Sequence, residues 1–256
     1  MMYFRNKDRI RSFSIMLILL LIAPVFTYAK NVNNGIAMMT LELIPYGYIN
    51  KEGKEDGVFY DIMNEIITES SIGKSYGIFP AKRLVAEFAN PKGMCTIVVN
   101  SPYVNNQLEV IEPIGYKMSV GVLPKAGIKL DSYLDLKNII VALPRGVYVG
   151  DRFMNDKTIT KASTPRYYSA LLMLKAGRVD AVVGALQSFI YIAKNKEFTG
   201  QKFGKPLIFS ENEPTLFCNN AVTKKVRKRL KSTLVQLKTS GKVQKILDRY
   251  FKSEMN

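Results

Sequence analysis

The stretch Thr164–Gln187, TPRYYSALLMLKAGRVDAVVGALQ, decides the fold of this chain. Thr164 can cap a helix, and Pro165 suits the first helical position, where its missing N–H would have no partner anyway. Apolar residues then recur at helical spacing, which predicts one buried stripe. Gly177 ends the helix in the left-handed conformation, and the short apolar run after Asp180 predicts a buried parallel strand. Helix, glycine turn and buried strand together make half of an α/β unit.

The segment 1–29 has the pattern of a secretory signal. Basic residues precede the apolar run Phe13–Phe26, and Thr27-Tyr28-Ala29 places small residues three positions and one position before a cleavage site. We expect cleavage after Ala29 and a periplasmic location for the mature protein. The alternative is an uncleaved single-span anchor, for which the apolar run is short. There is no cysteine near the cleavage site, so a lipid anchor is not expected.

The charge balance is strongly basic. The net charge is +16, and it falls to +13 without the signal segment, because that segment carries four basic residues and one acidic residue. Such a charge attracts anionic ligands, membranes or nucleic acid. The run Lys224–Arg229, however, lies at helical spacing beside Leu230 and Leu234, so a solvated helix face is the favoured interpretation. Secretion argues against a nucleic-acid partner.

Histidine and cysteine usage limits the chemistry of the chain. There is no histidine, which excludes a histidine-dependent catalytic triad. Without histidine or clustered cysteines, a zinc or copper site is not expected, and we expect no cofactor and no catalytic residues. The two cysteines, Cys95 and Cys218, either form a disulfide in an oxidising compartment or remain two small buried side chains.

The remaining pattern predicts an α/β protein of two lobes. Lobe I has a β-α-β-α-β series in 30–115, and lobe II, 116–214, has a second such series that begins after Pro124. Two helices in 215–256 return the chain to lobe I. Two extended apolar stretches predict the strands that cross between the lobes: Tyr116–Leu123 and Pro214–Thr223. Two lobes that the chain crosses twice imply a cleft, where hinge closure can bury a small ligand.

Five short motifs follow one another along the mature chain: PYGY at 45–48, FPAKRL at 79–84, SPY at 101–103, RGVYVG at 145–150 and GRVDAVV at 177–183. Their order and spacing resemble family 3 of the periplasmic solute-binding proteins, the amino-acid-binding type, over nearly the whole mature chain. The resemblance implies a type II periplasmic-binding-protein fold. It also implies that the protein captures a ligand between its lobes and delivers it to an ABC-type membrane transporter. We expect a monomer and a small polar ligand, with Arg83 and Arg145 favouring an anionic one.

Two charge partners that such amino-acid binders use are missing. In those proteins an Arg after the third strand pairs with the ligand carboxylate, and this chain has Asn105 or Asn106 there. An Asp after the GRVD strand pairs with the ligand ammonium, whereas this chain continues Gly184-Ala185-Leu186. A buried charge without a partner costs on the order of several kcal/mol. We therefore expect no tight binding of ordinary α-amino acids.

The resemblance and the local chemistry select eight candidate ligand-binding residues. Tyr46 and Phe79 match family positions that face the cleft, although either ring could belong to the core of its lobe. Arg83 could reach the cleft or lie on a helix surface. The helix start after Arg145 favours an anion through its backbone N–H groups, unless it is a plain turn. The set is Tyr46, Phe79, Arg83, Ser101, Asn106, Arg145, Gly146 and Tyr148.

Two other functions suit the same fold. One is a ligand-binding sensor partner that docks on a membrane receptor instead of a transporter. The other is an enzyme similar to cyclohexadienyl dehydratase, which needs a carboxyl acid in the cleft. Glu42 and Glu112 are the candidates for that acid, but their neighbours in sequence give no sign of tuned acidity. A non-enzymatic binding protein is the favoured prediction.

Overall fold

The computed structural model describes residues 35–89, 91–102, 104 and 107–251, so the signal segment lies outside them. Within the described residues no helix is long and apolar enough to cross a membrane. The strands are Ala37–Leu41 (β1), Tyr48–Ile49 (β2), Glu55–Asp56 (β3), Lys74–Phe79 (β4), Met94–Val98 (β5), Leu108–Pro113 (β6), Met118–Pro124 (β7), Ile140–Pro144 (β8), Thr160–Thr164 (β9), Ala181–Ala185 (β10), Leu207–Asn212 (β11) and Thr215–Asn219 (β12). The helices are Val58–Ser70 (α1), Ala81–Ala86 (α2), Asp151–Asn155 (α3), Tyr167–Lys175 (α4), Leu186–Ala193 (α5), Lys224–Thr239 (α6) and Lys242–Phe251 (α7).

Lobe I is built on a five-stranded sheet in the order β4-β1-β5-β12-β6. Strand β1 runs parallel to β4 and β5, while β12 runs antiparallel to β5 and β6. Ile62, Ile66 and Leu234 are fully buried in the same apolar cluster, so α1 and α6 pack against the lobe I core. The three parallel strands therefore end at one edge of the sheet, where ligand sites of α/β folds form.

A disulfide links two neighbouring strands in the sheet of lobe I. Cys95 on β5 and Cys218 on β12 lie directly opposite each other, with their Cα atoms 4.0 Å apart, and both are fully buried. The bond joins positions 123 residues apart. Of the two alternatives for the cysteines, the disulfide is the correct one.

Lobe II is built on a second five-stranded sheet, in the order β11-β7-β10-β8-β9. Strand β10 is fully buried and runs parallel to β8 but antiparallel to β7, so the prediction of a parallel strand holds on one side only. Before it, Gly177 has a φ of +67°. The N–H of Arg178 reaches the carbonyl of Met173 at 2.9 Å, and the N–H of Gly177 reaches that of Leu174 at 3.1 Å. These two hydrogen bonds form the Schellman C-terminal motif, which agrees with the helix end that the glycine predicted.

The start of α4 differs from the prediction. Thr164 does not cap the helix: it is the last residue of β9 and is fully buried. The helix begins at Tyr167 with Arg166 as the N-terminal flanking residue. A residue before proline is pushed towards extended backbone, so Pro165 holds Thr164 in the strand and delays the helix by two residues.

The chain passes between the two sheets twice. The first connection joins the end of β6 to the start of β7, and the second joins β11 to β12. The N–H of Ile114 in the first donates to the carbonyl of Pro214 in the second at 3.0 Å. Each predicted crossing strand belongs to one sheet only, since short connections make the crossing. Tyr116, in the first connection, stacks on Phe251 with ring centres 5.2 Å apart.

Candidate ligand-binding cleft

The loops at the carboxyl ends of the parallel strands bring the two lobes together. Ile44, which follows β1 in lobe I, packs against the apolar cluster of lobe II. Gly146, which follows β8, lies against Ala81 at the start of α2: a Cβ built on Gly146 would be 3.9 Å from the Cβ of Ala81. The parallel-strand edges of the two sheets therefore face each other, as in an interlobe cleft.

A pair of tyrosines connects the lobes beside these loops. The hydroxyls of Tyr48 on β2 and Tyr191 on α5 lie 3.2 Å apart, with ring centres separated by 6.4 Å. Burial, the hydrogen bond to Tyr191 and the nearby Asp56 carboxylate all raise the pKa of Tyr48 above its usual value. Tyr48 is therefore uncharged over the physiological pH range, and the contact is a hydrogen bond between neutral groups.

Three exposed arginines lie on the segments that meet at this point. Arg83 on α2 is exposed, and its guanidinium lies 4.8 Å above the ring of Phe79. Arg145 follows β8, and its backbone N–H donates to the carbonyl of Thr164 at 2.9 Å. Arg166 comes two residues after that carbonyl and is exposed like Arg145. None of the three forms an ion pair with a carboxylate of the described residues. The junction of the two lobes is thus rich in unpaired cations.

The two candidate carboxyl acids are in different settings. Glu42 follows β1 at the cleft edge and is exposed, and its backbone N–H donates to the carbonyl of Phe79 at 2.8 Å. Glu112 lies on β6, where Lys238 at 2.6 Å and Lys231 at 3.5 Å pair with it. Burial alone would raise the pKa of Glu112, but the two lysines outweigh it and hold the pKa below its usual value. Glu112 is a structural anion and a poor proton donor.

The two aromatic candidates in lobe I are core residues in this conformation. Tyr46 is fully buried and packs on Phe59 and Phe251, with ring centres 4.7 Å and 6.0 Å away. Phe79 is 7% exposed and belongs to the apolar cluster on the α2 side of the sheet. The core alternative for Phe79 thus describes its position, and Arg83 and Tyr76 lie against its ring.

The remaining candidates follow the carboxyl ends of β5 and β8. Ser101 is half-buried, and its carbonyl accepts the N–H of Val104 at 2.9 Å. Asn106 lies outside the described residues. Tyr148 is half-buried in the loop after β8, beside Arg145 and Gly146, which are both exposed.

The expected anion site at a helix start is not supported. Helix α3, which follows Arg145 and Tyr148, begins only at Asp151 and has five residues. A helix this short has a small dipole, and an aspartate already occupies its first turn. Any anion binding by Arg145 therefore depends on its side chain.

A tyrosine hydroxyl occupies the end of the GRVD strand, where the resemblance implied a carboxylate in related proteins. Tyr167 on α4 accepts the backbone N–H of Ala185 at 3.1 Å. Burial raises the pKa of Tyr167 to about 12, partly offset by that N–H. Gly184 has a φ of +151°, and a Cβ there would lie 2.6 Å from the Tyr167 hydroxyl, so glycine is required for this approach. The site has a neutral hydroxyl in place of an anion.

Sequence analysis missed four residues of this edge: Ile44, Tyr48, Arg166 and Tyr191. Arg166 was detectable, because it follows a predicted strand whose end meets the cleft. The tyrosine pair joins positions 143 residues apart, and no local pattern predicts such a contact. Among the described residues, no group of three His, Cys, Asp or Glu side chains is placed to hold a metal ion.

The two facing sheets and the paired connections define the class of the fold: a two-lobed periplasmic-binding-protein fold of type II. No protein-family model matches the sequence, and no curated protein gives a significant match. Solved structures do match over nearly the whole described chain, and they confirm the fold that the sequence predicted.

Three of these structures illustrate the range of proteins that share the fold. An ancestral arginine-binding protein bound to arginine is 18% identical, with a TM-score of 0.71 over 86% of this chain and 99% of its own. A histidine kinase sensor domain with similarity to periplasmic binding proteins is 15% identical, with a TM-score of 0.69 over 85% and 95%. The substrate-binding protein of an amino acid ABC transporter is 19% identical, with a TM-score of 0.66 over 85% and 100%. At these identities the likeness establishes the fold alone.

Proposed function

We propose that this protein is a periplasmic solute-binding protein that captures a small anionic ligand between its lobes. The observation that carries the proposal is the placement of three exposed arginines, Arg83, Arg145 and Arg166, on the segments that meet at the lobe junction, without an acidic partner in the described chain. Like charges held together repel each other, so an anion that bridges them gains from all three. Guanidinium groups suit carboxylate and phosphate because their planar forks donate two parallel hydrogen bonds.

The same edge disfavours a free α-amino acid. The neutral Tyr167 hydroxyl bonds to the N–H of Ala185, so nothing at this position offsets the charge of an ammonium group. The exposed Glu42 is a single carboxylate among three arginines. A ligand with excess negative charge therefore fits better than a zwitterion or a cation.

Ligand capture works by closure in this proposal. The contacts of Ile44 and of Tyr48 exist only when the lobes meet, and the paired connections at Ile114 and Pro214 supply a hinge. A ligand that binds the closed form more tightly than the open form shifts the equilibrium towards closure. The protein then delivers its ligand to an ABC-type transporter and performs no catalysis, a role supported by the low proton-donating capacity of Glu112.

The secretory pattern of segment 1–29 and the disulfide both support a periplasmic location. The alternative partner is a membrane sensor. It is supported by the similarity to a histidine kinase sensor domain, which shares the fold. The two roles share the ligand site and differ in the partner that reads the closed form.

The test is a thermal-shift screen of the purified protein against three matched panels: di- and tricarboxylates with phosphorylated metabolites, zwitterionic α-amino acids, and cationic amines with arginine. A ligand at a hundredfold excess over its Kd stabilises the folded protein by about 2.7 kcal/mol. We expect the largest shifts in the anionic panel, reduced in Arg145→Gln and Arg166→Gln. The control is Arg178→Gln, an exposed arginine at the other end of β10. Shifts confined to the α-amino acids would refute the proposal.

A further inference from the structure

A second cationic surface lies far from the cleft, on the first two turns of α6. Lys224, Lys225, Lys228 and Arg229 are all exposed, and their spacing of one and four residues places them on one side of the helix. We call this surface the α6 basic face. None of the four forms an ion pair with the described residues.

The positive charge of the α6 basic face is the opposite of the charge that a helix N-terminus favours. The first turn of a helix favours acidic residues, because the backbone dipole is positive there, yet the first turn of α6 contains no acidic residue. Neighbouring carboxylates are already paired with other cations: Glu109 with Arg227, and Glu112 with Lys231 and Lys238. A local rule broken without local compensation is a sign of a functional surface.

Topology places this face at the edge of lobe I opposite the cleft. Strand β12 is antiparallel to β5, so its end at Asn219 lies beside Met94, where β5 begins; the Asn219 side chain accepts the N–H of Met94 at 3.2 Å. Helix α6 starts from this edge. Strand β1 also starts here, because Ile36 and Val222 both lie around Gly93. The chain therefore enters the folded unit next to the α6 basic face.

We propose that the α6 basic face binds the anionic headgroup surface of a lipid bilayer. Three of its four cations are lysines, compact charges on flexible stems, which suit a diffuse array of headgroups better than a fixed ligand. The four positions offer no aromatic or aliphatic anchor of the kind that stable protein interfaces bury. Binding here leaves the cleft at the opposite edge accessible.

The test is co-sedimentation of the purified protein with vesicles at about 150 mM salt. One vesicle type is phosphatidylcholine, and the other contains phosphatidylglycerol as about a third of its lipid. The variant is Lys224→Gln/Lys225→Gln/Lys228→Gln/Arg229→Gln. Glutamine keeps helix propensity, and removing cations from the helix start relieves the dipole, so the variant is expected to fold with an unchanged or higher Tm. The matched control neutralises four exposed lysines of lobe II: Lys125, Lys157, Lys202 and Lys205.

We expect the wild type to partition onto phosphatidylglycerol vesicles far more strongly than onto phosphatidylcholine. The α6 variant should lose nearly three orders of magnitude of that partitioning, since each of the four cations near an anionic surface contributes about fivefold, while the control should lose little. Equal losses in the variant and the control would reduce the effect to net charge and overturn the proposal. Absence of wild-type binding at this salt concentration would also overturn the proposal. An acidic protein would then be the alternative partner of the α6 basic face.

Discussion

The hydroxyl groups of Tyr48 and Tyr191 lie 3.2 Å apart and join the β2–β3 hairpin of lobe I to α5 of lobe II. Both side chains are half-buried, and the pKa of Tyr48 is raised by burial first and by Tyr191 second. In the proposed closure mechanism the contact belongs to the closed arrangement, because it draws one hydroxyl from each lobe, and it should therefore influence the balance between open and closed forms.

Replacing Tyr191 with Phe should shift this balance towards the open form. A hydrogen bond between neutral groups contributes about 1 kcal/mol, so we expect roughly a fivefold change in the closed-to-open ratio without ligand. Small-angle X-ray scattering should show a larger radius of gyration for Tyr191→Phe. Tyr76→Phe is the control, since Tyr76 is exposed on the edge strand β4. An unchanged radius in Tyr191→Phe would mean that the pair does not influence closure.

The disulfide between Cys95 and Cys218 should be a large contributor to stability. A bond that closes a loop of this length stabilises by about 4–5 kcal/mol, chiefly by restricting the unfolded chain. The Cys95→Ala/Cys218→Ala variant should lose that amount in chemical denaturation. Reductant should lower the Tm of the wild type and leave the variant unaffected. The same wild-type Tm with and without reductant would contradict this expectation.

Glu112 should give a pH-dependent stability. Burial opposes its charge, but Lys238 and Lys231 lower its folded-state pKa below the unfolded value of about 4.3. The resulting stabilisation is present above the unfolded pKa and is lost as the pH falls through the folded one. Glu112→Gln should therefore cost about 1–3 kcal/mol at pH 7, with the difference closing as the pH falls below about 4. Glu211→Gln, whose partner Lys117 lies 3.7 Å away on the exposed surface, should change little at either pH.

Tyr167 should give the opposite pH dependence. Its folded-state pKa is raised to about 12, whereas an unfolded tyrosine titrates near 10. Its stabilisation is therefore complete below about pH 10 and is lost as the pH rises through about 12. The stability difference between wild type and Tyr167→Phe should narrow over this interval in denaturant titrations. Tyr168→Phe, at an exposed neighbouring position, is the control. A constant difference between wild type and Tyr167→Phe would exclude the role assigned to this hydroxyl.

Local signals predicted most of the fold. The Gly177 turn, the buried run at Ala181–Ala185 and the two closing helices are encoded in adjacent residues, so a single sequence reveals them. The prediction that Thr164 caps α4 was wrong because two local effects competed. Threonine can cap a helix, but Pro165 imposes extended backbone on the residue before it. The position of Tyr46 could not be predicted, since its burial depends on Phe59 and Phe251, which come from different parts of the chain.

The candidate site was less predictable for the same physical reason. Arg145 could be selected from a strand end, but its neighbours Thr164 and Arg166 become adjacent only through the parallel pairing of β8 and β9. The missing carboxylate was visible in the sequence at Ala185. The hydroxyl that takes its place, Tyr167, comes from a helix 18 residues earlier and had no local signature.

The most direct measurement of the central claim is isothermal titration calorimetry of the wild type and of Arg145→Gln/Arg166→Gln. The titrants are the anionic compound with the largest thermal shift and arginine, the ligand of one structural neighbour. Losing charge-assisted bonds in a closed cleft costs about 2–5 kcal/mol, so the anion should bind the variant at least about 30-fold more weakly. Arginine should bind neither protein tightly. Tight binding of arginine to the wild type, or equal affinity of both proteins for the anion, would contradict the account.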